Sequence, residues 1–342
     1  RLSGCADPLQ RTLNRCFWRN EESFLIPPLF FKIEKGSIDM KAFANLRRDF
    51  RENRTLYFLS FPVVLYFLIF CYLPMGGIVI AFQKYNIAKG IFGSRWVGFS
   101  NFTNFFESYY FGRLLSNTFF LSFLNLLFSF PVPIAFALLL NEVRNRPFKR
   151  TIQTLSYMPY FISLVVVCGL VVDFTNANGI ITNFLSLFGR EKTAMLGDPK
   201  NFRPIYIMTD IWRNTGYTSI VYLAALTGVD RSLYEAAEID GAKKLRQVWH
   251  ITLPGIAPTI IVMLILRVGN MFALGFEQVM LLYNPAIYES ADIISTFSYR
   301  KAFEDYNYGS STAIELFNSV INCALLLATN QISRRFSSTS LF

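Results

Sequence analysis

The stretch 230–258 carries acidic, small and apolar residues in an order that suits docking to another protein. Asp230 is a plausible N-cap for a short helix predicted from Arg231 to Ile239. Gly241 stands where a helix can end or a backbone can approach closely. The paired alanines inside this helix permit close approach of a partner. Three acidic side chains can meet Arg or Lys there, and they are Glu235, Glu238 and Asp240.

A second short helix is predicted from Ala242 to His250. Pro254 and Pro258 are expected to prevent its simple continuation into the following apolar stretch, because proline lacks the helical N–H donor. His250 is the single histidine of the chain, and we expect it to be structural. The whole stretch therefore predicts a helix–glycine–helix loop.

A second set of polar residues lies inside long apolar stretches, where ionisable groups are costly and point to function. Asp210 and Arg213 are three apart, so on a helix they share a face and could form a pair. The run 212–217 mixes aromatic rings with amide, hydroxyl and guanidinium groups, as sugar recognition does. Gly216 in this run could also let the helix bend.

Two further apolar stretches each carry a stripe of polar residues along one helix face. One face near residues 267–277 carries Arg267, Asn270 and Glu277, and another near 315–322 carries Glu315, Asn318 and Asn322. Hydrogen bonding between helices remains the alternative for each single Asn. Together the stripes favour a polar pathway, and its predicted lining residues are Arg213, Asn214, Tyr217, Asn270, Glu277 and Asn318.

Composition narrows the classes of protein that can hold these residues. Of the 342 residues, 53% are hydrophobic and 16% charged, against about 25% charged in soluble domains. This excludes a disordered chain, and five cysteines exclude a disulfide-stapled module. One histidine excludes a multi-histidine metal site. The net charge of +10 suits basic loops on the cytoplasmic face of a membrane better than nucleic-acid binding.

Six stretches are long and apolar enough to cross a bilayer, which takes about 20 residues. They are Leu56–Phe82, Ser116–Leu140, Leu155–Phe174, Ile205–Val229, Ile256–Leu282 and Ser310–Ile332. If the N-terminus is inside, the inner segments hold fifteen Lys and Arg in 64 residues, and the outer ones hold ten in 90. This bias predicts both termini in the cytoplasm. It also puts the loop 230–255 there, between spans four and five.

The ends of the chain are expected to lie outside this membrane part. Residues 1–39 are predicted to be an extension of doubtful role, and 40–55 a cytoplasmic amphipathic helix. The transmembrane domain then covers 56–332, and 333–342 form a cytoplasmic tail.

Glu235-Ala236-Ala237, Gly241, Ile251, Leu253 and Pro254 match all seven positions of the signature EAA-x3-G-x9-I-x-LP. This signature resembles that of permease subunits of binding-protein-dependent ABC importers. The wider chain, from about residue 40 onward, is similar to the polysaccharide and oligosaccharide branch of these permeases. The stretches that carry this similarity include Tyr72-Leu73-Pro74-Met75, Ser156-Tyr157-Met158-Pro159 and Leu281-Leu282-Tyr283-Asn284-Pro285.

The resemblance implies an all-α membrane protein of the type I importer fold, similar to maltose permeases, with six spans. It implies that Glu235, Ala236, Ala237, Asp240 and Gly241 form a coupling helix that docks into a cleft of an ATPase subunit. The partners implied are a second permease in a heterodimer, two ATP-binding subunits, an extracytoplasmic solute-binding protein, a carbohydrate cargo and membrane lipid. Nucleic acid is not among them. The location implied is the bacterial cytoplasmic (inner) membrane.

No G-x4-G-K-[ST] phosphate loop occurs in the chain. We therefore expect a transport subunit without catalytic or metal-ligating residues, and with ATP and Mg held by the partner ATPases rather than by this chain. Three alternatives stay open. One is a secondary transporter, which would need inverted repeats and ion-coupling carboxylates. The second is a membrane-embedded enzyme, which HExxH or GxSxG would indicate. The third is an ABC permease for a solute other than sugar.

Overall fold

The computed structural model describes residues 53–272 and 275–336. Residues 53–71 belong to one compact unit, and residues from 72 onward belong to another. The predicted extension 1–39, most of the amphipathic helix 40–55 and most of the tail 333–342 lie outside the described residues.

The described chain is almost entirely helical. Its helices are α1 Arg54–Tyr66, α2 Leu73–Met75, α3 Gly90–Gly93, α4 Ser100–Phe106, α5 Phe111–Ser129, α6 Pro131–Glu142, α7 Arg146–Phe161, α8 Leu164–Thr175, α9 Ile180–Ser186, α10 Pro199–Thr227, α11 Arg231–Ile239, α12 Lys244–Gln247, α13 Leu253–Gly269, α14 Phe276–Leu282, α15 Tyr288–Ala291, α16 Ile294–Phe303 and α17 Tyr308–Phe336. A short antiparallel pair joins β1 Gln83–Lys84 to β2 Arg95–Trp96.

Five helical segments of the described chain are long and apolar enough to cross a membrane. They are Arg54–Phe82, Phe111–Glu142, Leu164–Ser186, Lys244–Gly269 and Tyr308–Arg334. The predicted span Ile205–Val229 falls in α10, which has 29 residues. This helix carries polar and charged groups along its length, so it does not meet the same apolar criterion.

The third predicted span is wrong at its start. Residues 155–161 belong to α7, an amphipathic helix that already begins at Arg146. The backbone becomes extended at Ile162 and Ser163, and α8 begins only at Leu164. Pro159 lies just before this break, and its missing N–H weakens the last turn. The candidate span therefore starts at Leu164.

The fifth predicted span is also corrected at both ends. The chain is helical from Lys244 to Gly269, so the prolines do not separate the loop from the span. A π-helical turn, Val248–Thr252, directly precedes Pro254, and such a widened turn accommodates a residue without an N–H donor. After Gly269 the helix ends, and α14 is a separate short helix that follows Gly275 in the left-handed region.

Helix α10 supplies residues to two of the three apolar clusters. Near its first turns, Phe202 and Tyr206 pack with residues of α8 and α14. Near its last turns, Tyr222 packs with Ala137 of α6 and Ile256 of α13. The helix that is too polar to resemble a lipid-facing span thus packs against other helices near both of its ends.

Candidate functional site

A polar pocket of about 380 Å³ lies beside the middle of α10. Helices α5, α8, α10, α13 and α14 contribute to its lining, which includes Asn125, Asp210, Arg213, Asn214, Arg267 and Glu277. The structure thus brings together three of the predicted pathway residues, Arg213, Asn214 and Glu277. Spacing along single helices predicted the stripes, and packing of the helices brings part of two of them, Arg213 with Asn214 and Arg267 with Glu277, into one pocket.

Asp210 is buried and is the acceptor at the centre of the pocket's hydrogen bonds. Its Oδ1 accepts from Asn214 Nδ2 at 2.7 Å, and its Oδ2 accepts from Asn125 Nδ2 at 3.1 Å. Arg267 Nη2 lies 3.4 Å from the same Oδ2 and also donates to Asn125 Oδ1. The expected pair of Asp210 with Arg213 is therefore wrong: a residue from another helix provides the counter-charge.

Arg213 has a different environment. Its Nη1 donates to Asn214 Oδ1 at 3.4 Å, and its guanidinium carbon lies 5.5 Å from the ring centre of Tyr160. Tyr160 in turn stacks on Tyr217 with 3.8 Å between ring centres and 4° between planes. Arg213 thus lies next to an amide and an aromatic ring that is itself stacked on Tyr217, a mixture of the kind that the run 212–217 predicted.

Two glycines permit close packing around α10, and one of them, Gly275, lines the pocket. A Cβ on Gly216 would lie 2.0 Å from the carbonyl oxygen of Ser156 in α7. Gly216 is therefore a close-approach position inside a continuous helix rather than a bend. Gly275 has φ +84°, and a Cβ there would lie 1.8 Å from the hydroxyl of Tyr206.

The other predicted pathway residues are placed elsewhere. Asn270 is exposed just after α13 and donates to the carbonyl of Leu266. Asn318 is only 2% exposed, and its Nδ2 donates to Phe272 O at 3.4 Å and to Ser295 Oγ at 3.2 Å. Tyr217 is 40% exposed and contributes through its stack on Tyr160.

Sequence reasoning missed Asn125 and Gln278, which also line the pocket. Both are amide side chains in otherwise apolar helices, and this feature of the sequence could have indicated them as pocket residues. Asn125 is 3% exposed and bonds both members of the Asp210–Arg267 pair. Gln278 donates to the carbonyl of Tyr206 at 2.9 Å and so fixes α14 against α10.

The loop 230–255, which is the predicted coupling loop, takes the predicted form in its first half. Helix α11 spans Arg231–Ile239, and the Asp230 side chain accepts from the Ser232 N–H at 2.9 Å. That hydrogen bond lowers the pKa of Asp230. At the other end, Gly241 N donates to Glu238 O and Ala242 N donates to Ala237 O, with φ +74° at Gly241. These two bonds form a Schellman cap, which requires a left-handed residue.

This loop presents apolar side chains that residues 53–272 and 275–336 leave exposed. No residue of α11 is buried within the described chain. Ile239 is 87% exposed, Leu245 77% and Trp249 68%. An exposed apolar patch of this kind marks an interaction surface. Among the predicted contacts, Glu235, Ala236, Asp240 and Gly241 are exposed, and Ala237 is half-buried.

The loop is tied to its own spans by polar contacts. The hydroxyl of Tyr234 lies 2.9 Å from Thr252 Oγ1 at the base of α13. Lys244 lies 3.5 Å from a carboxylate oxygen of Glu238 and 4.0 Å from one of Glu142 at the end of α6. A cavity of about 450 Å³ between α6, α10 and the loop includes Glu235 in its lining.

The segments 99–113 and 288–308, which lie between predicted spans on the predicted outer side, are joined through one buried acid. Asp292 is fully buried, and its Oδ2 lies 2.7 Å from Arg300 Nη2 and 3.5 Å from Arg113 Nη2. Burial by itself lowers the pKa of Arg300, but the hydrogen bond and charge of Asp292 outweigh this effect and raise it. The two loops therefore form one surface.

Several membrane-spanning helices, a polar pocket among them and an uncovered loop at the base of one span define a membrane transport subunit. Residues 129–338 match the family described as binding-protein-dependent transport system inner membrane component. The chain belongs to this family: it is a multi-pass membrane permease subunit of an ABC importer.

Curated relatives and a solved structure share most of its length. Protein LplB of Bacillus subtilis (strain 168) is 46% identical over 300 residues, which are 87% of this chain and 93% of LplB. The polygalacturonan/rhamnogalacturonan transport system permease protein YteP of the same organism is 45% identical over 292 residues, 85% of this chain and 91% of YteP.

The chain is also similar to part of a crystal structure of a bacterial ABC transporter involved in import of the acidic polysaccharide alginate. The identity is 42% and the TM-score 0.79, and the match covers 85% of this chain and 99% of that one. A second crystal structure of the alginate transporter, in complex with an alginate pentasaccharide-bound periplasmic protein, matches with the same identity and TM-score over 86% of this chain.

Proposed function

We propose that this permease forms half of the translocation pathway for a carbohydrate, an oligosaccharide or polysaccharide fragment, in the bacterial cytoplasmic membrane. A second permease forms the other half, and a solute-binding protein delivers the cargo from outside. The names of YteP and of the alginate transporter support a saccharide cargo. The pocket supports it too, since its amides and charges suit sugar hydroxyls, and the stacked rings of Tyr160 and Tyr217 next to Arg213 suit the apolar faces of sugars.

ATP and Mg are held by two separate ATPase subunits, and both termini of this chain lie in the cytoplasm. The coupling contacts are Glu235, Ala236, Ala237, Asp240 and Gly241. The observation that carries this assignment is the capped helix α11, which buries none of its residues yet leads through Tyr234 to the base of α13. A helix exposed in this way can transmit movement from a partner to the spans.

The pathway residues proposed are Arg213, Asn214, Tyr217, Asn270, Glu277 and Asn318. Arg213, Asn214 and Glu277 line the pocket directly. Asn318 lies between helices, so its part is to hold α17 near the pathway. Alternating access then exposes the pocket to each side in turn.

The test is uptake by the assembled transporter in vesicles, with ATP inside or withheld. We expect ATP-dependent accumulation of a labelled oligosaccharide, and loss of it in Glu235→Ala with the complex still folded. Glu191→Ala, an exposed glutamate far from α11 in sequence, is the matched control and keeps uptake. Uptake that persists without any ATPase subunit would identify a secondary transporter. ATP-driven uptake restricted to solutes other than sugars would overturn the proposal of a carbohydrate cargo and leave the ATP-driven permease function intact.

A further inference from the structure

The pocket beside α10 contains two arginines in contrasting situations. Arg267 has Asp210 at 3.4 Å as its counter-charge. Arg213 lines the same pocket, but no carboxylate among residues 53–272 and 275–336 lies within 4.0 Å of its guanidinium nitrogens. Both oxygens of Asp210 are already occupied by other donors.

A charge without a counter-charge is costly inside a membrane protein, unless it faces water or a ligand. The contacts of Arg213 orient the side chain and leave its charge unneutralised. Asn214 accepts from Nη1, and the ring of Tyr160 lies under the guanidinium. Its Nε is buried and has no hydrogen-bond partner among the described residues, so the outer Nη nitrogens are the ones that a ligand can reach. The guanidinium thus keeps its positive charge for something that enters the pocket.

We propose that Arg213 binds a carboxylate of the cargo, so that the pathway is selective for acidic, uronate-type saccharides. This inference rests on the proposed carbohydrate function and adds the charge of the cargo to it. A guanidinium matches a carboxylate with two parallel hydrogen bonds. Tyr217 offers a half-exposed ring to the apolar face of the sugar, and Asn214 supplies an amide to its hydroxyls.

Glu277 restricts how an acidic cargo can lie. It lines the same pocket, and no cation of the described residues lies within 4.0 Å of its carboxylate. Like charges repel, so the cargo carboxylate is directed away from Glu277 and toward Arg213. Glu277 can still accept hydrogen bonds from sugar hydroxyls. Removing the charge of Arg213 should therefore weaken binding of an acidic saccharide, and removing the charge of Glu277 should strengthen it.

The experiment measures binding of saccharide probes to the purified, assembled transporter in nanodiscs. The solute-binding protein is left out, so that the selectivity of that protein does not contribute. The probes are a uronate trisaccharide and the same trisaccharide with its carboxyls reduced to alcohols. We expect the wild type to prefer the acidic probe. Arg213→Gln should weaken acid binding by about tenfold or more and weaken binding of the neutral probe much less. Arg213→Lys should fall between them.

Glu277→Gln should strengthen binding of the acidic probe, and Lys192→Gln on an exposed loop should leave both probes unchanged. Equal binding of both probes by the wild type would overturn the inference and leave the carbohydrate function intact. A loss of both probes to the same extent in Arg213→Gln, with no gain in Glu277→Gln, would also overturn it and show a structural role. Binding of neither probe, with no uptake of any saccharide, would overturn the carbohydrate function itself.

Discussion

The hydroxyl of Tyr234 in α11 lies 2.9 Å from the hydroxyl of Thr252, where the helix Lys244–Gly269 passes from its π-helical turn into α13. This hydrogen bond joins the coupling helix to a membrane span across 18 residues of sequence. Because α11 buries none of its own residues, such links determine how firmly it moves with the span.

Tyr234→Phe is expected to loosen this link while leaving the docking surface in place. A neutral hydrogen bond contributes about 1 kcal/mol, so we expect ATP hydrolysis to continue with several-fold less uptake per ATP. Thr252→Val should have the same effect, and the double variant should be no worse than either single one. Uptake per ATP that is unchanged in both single variants would contradict this prediction.

Asp210→Ala is expected to destabilise the protein, because it leaves the partly buried Arg267 without its counter-charge. Breaking a fully buried pair from one side costs about 3–5 kcal/mol, and the 29% exposure of the Arg267 side chain places the expected cost below this range. The measurement is thermal unfolding of the purified complex in detergent. Asp210→Leu combined with Arg267→Met removes both charges and should recover most of the lost stability. A single variant as stable as the wild type would show that the pair contributes little.

Gly216→Ala is expected to push α10 away from α7, because its Cβ would meet the Ser156 carbonyl at 2.0 Å. Overpacking of this kind costs about 1–3 kcal/mol, which thermal unfolding will detect. Gly169→Ala is the matched control, since it is also helical and nothing lies within 4 Å of its added Cβ. The control should be neutral or slightly stabilising. Equal effects at both positions would rule out the close approach as the cause.

Gly241→Val is expected to fray the end of α11, because φ +74° is strained for a branched residue. A left-handed residue other than Gly or Asn costs about 1–2 kcal/mol. Hydrogen–deuterium exchange of the 236–242 amides should therefore speed up, and coupled uptake should fall. Gly241→Asn should be much milder, since Asn tolerates this conformation. No other part of the described chain lies within 4 Å of a Cβ at 241, so the strain comes from the local backbone conformation alone.

Much of the coupling loop could be predicted from the sequence because its determinants are local. Asp230 caps the helix Arg231–Ile239 at the expected residue, and Gly241 ends it through its own φ. The prediction for the second half was wrong, because Pro254 was expected to end the helix and the helix continues through it. A proline can be accommodated inside a helix when the turn before it widens, as Val248–Thr252 does. Whether Val248–Thr252 forms a π-turn depends on packing around it.

The polar pathway shows the opposite balance. The sequence by itself determined that the chain spans a membrane and that a few charges are buried within it, because apolar content and residue spacing follow directly from the chain. Only the tertiary structure decided which charges meet. Asp210 pairs with Arg267 rather than with Arg213, three residues away, since neighbouring helices bring Asn125 and Arg267 to it. Partners between helices depend on packing and rotation, which a single sequence does not encode locally.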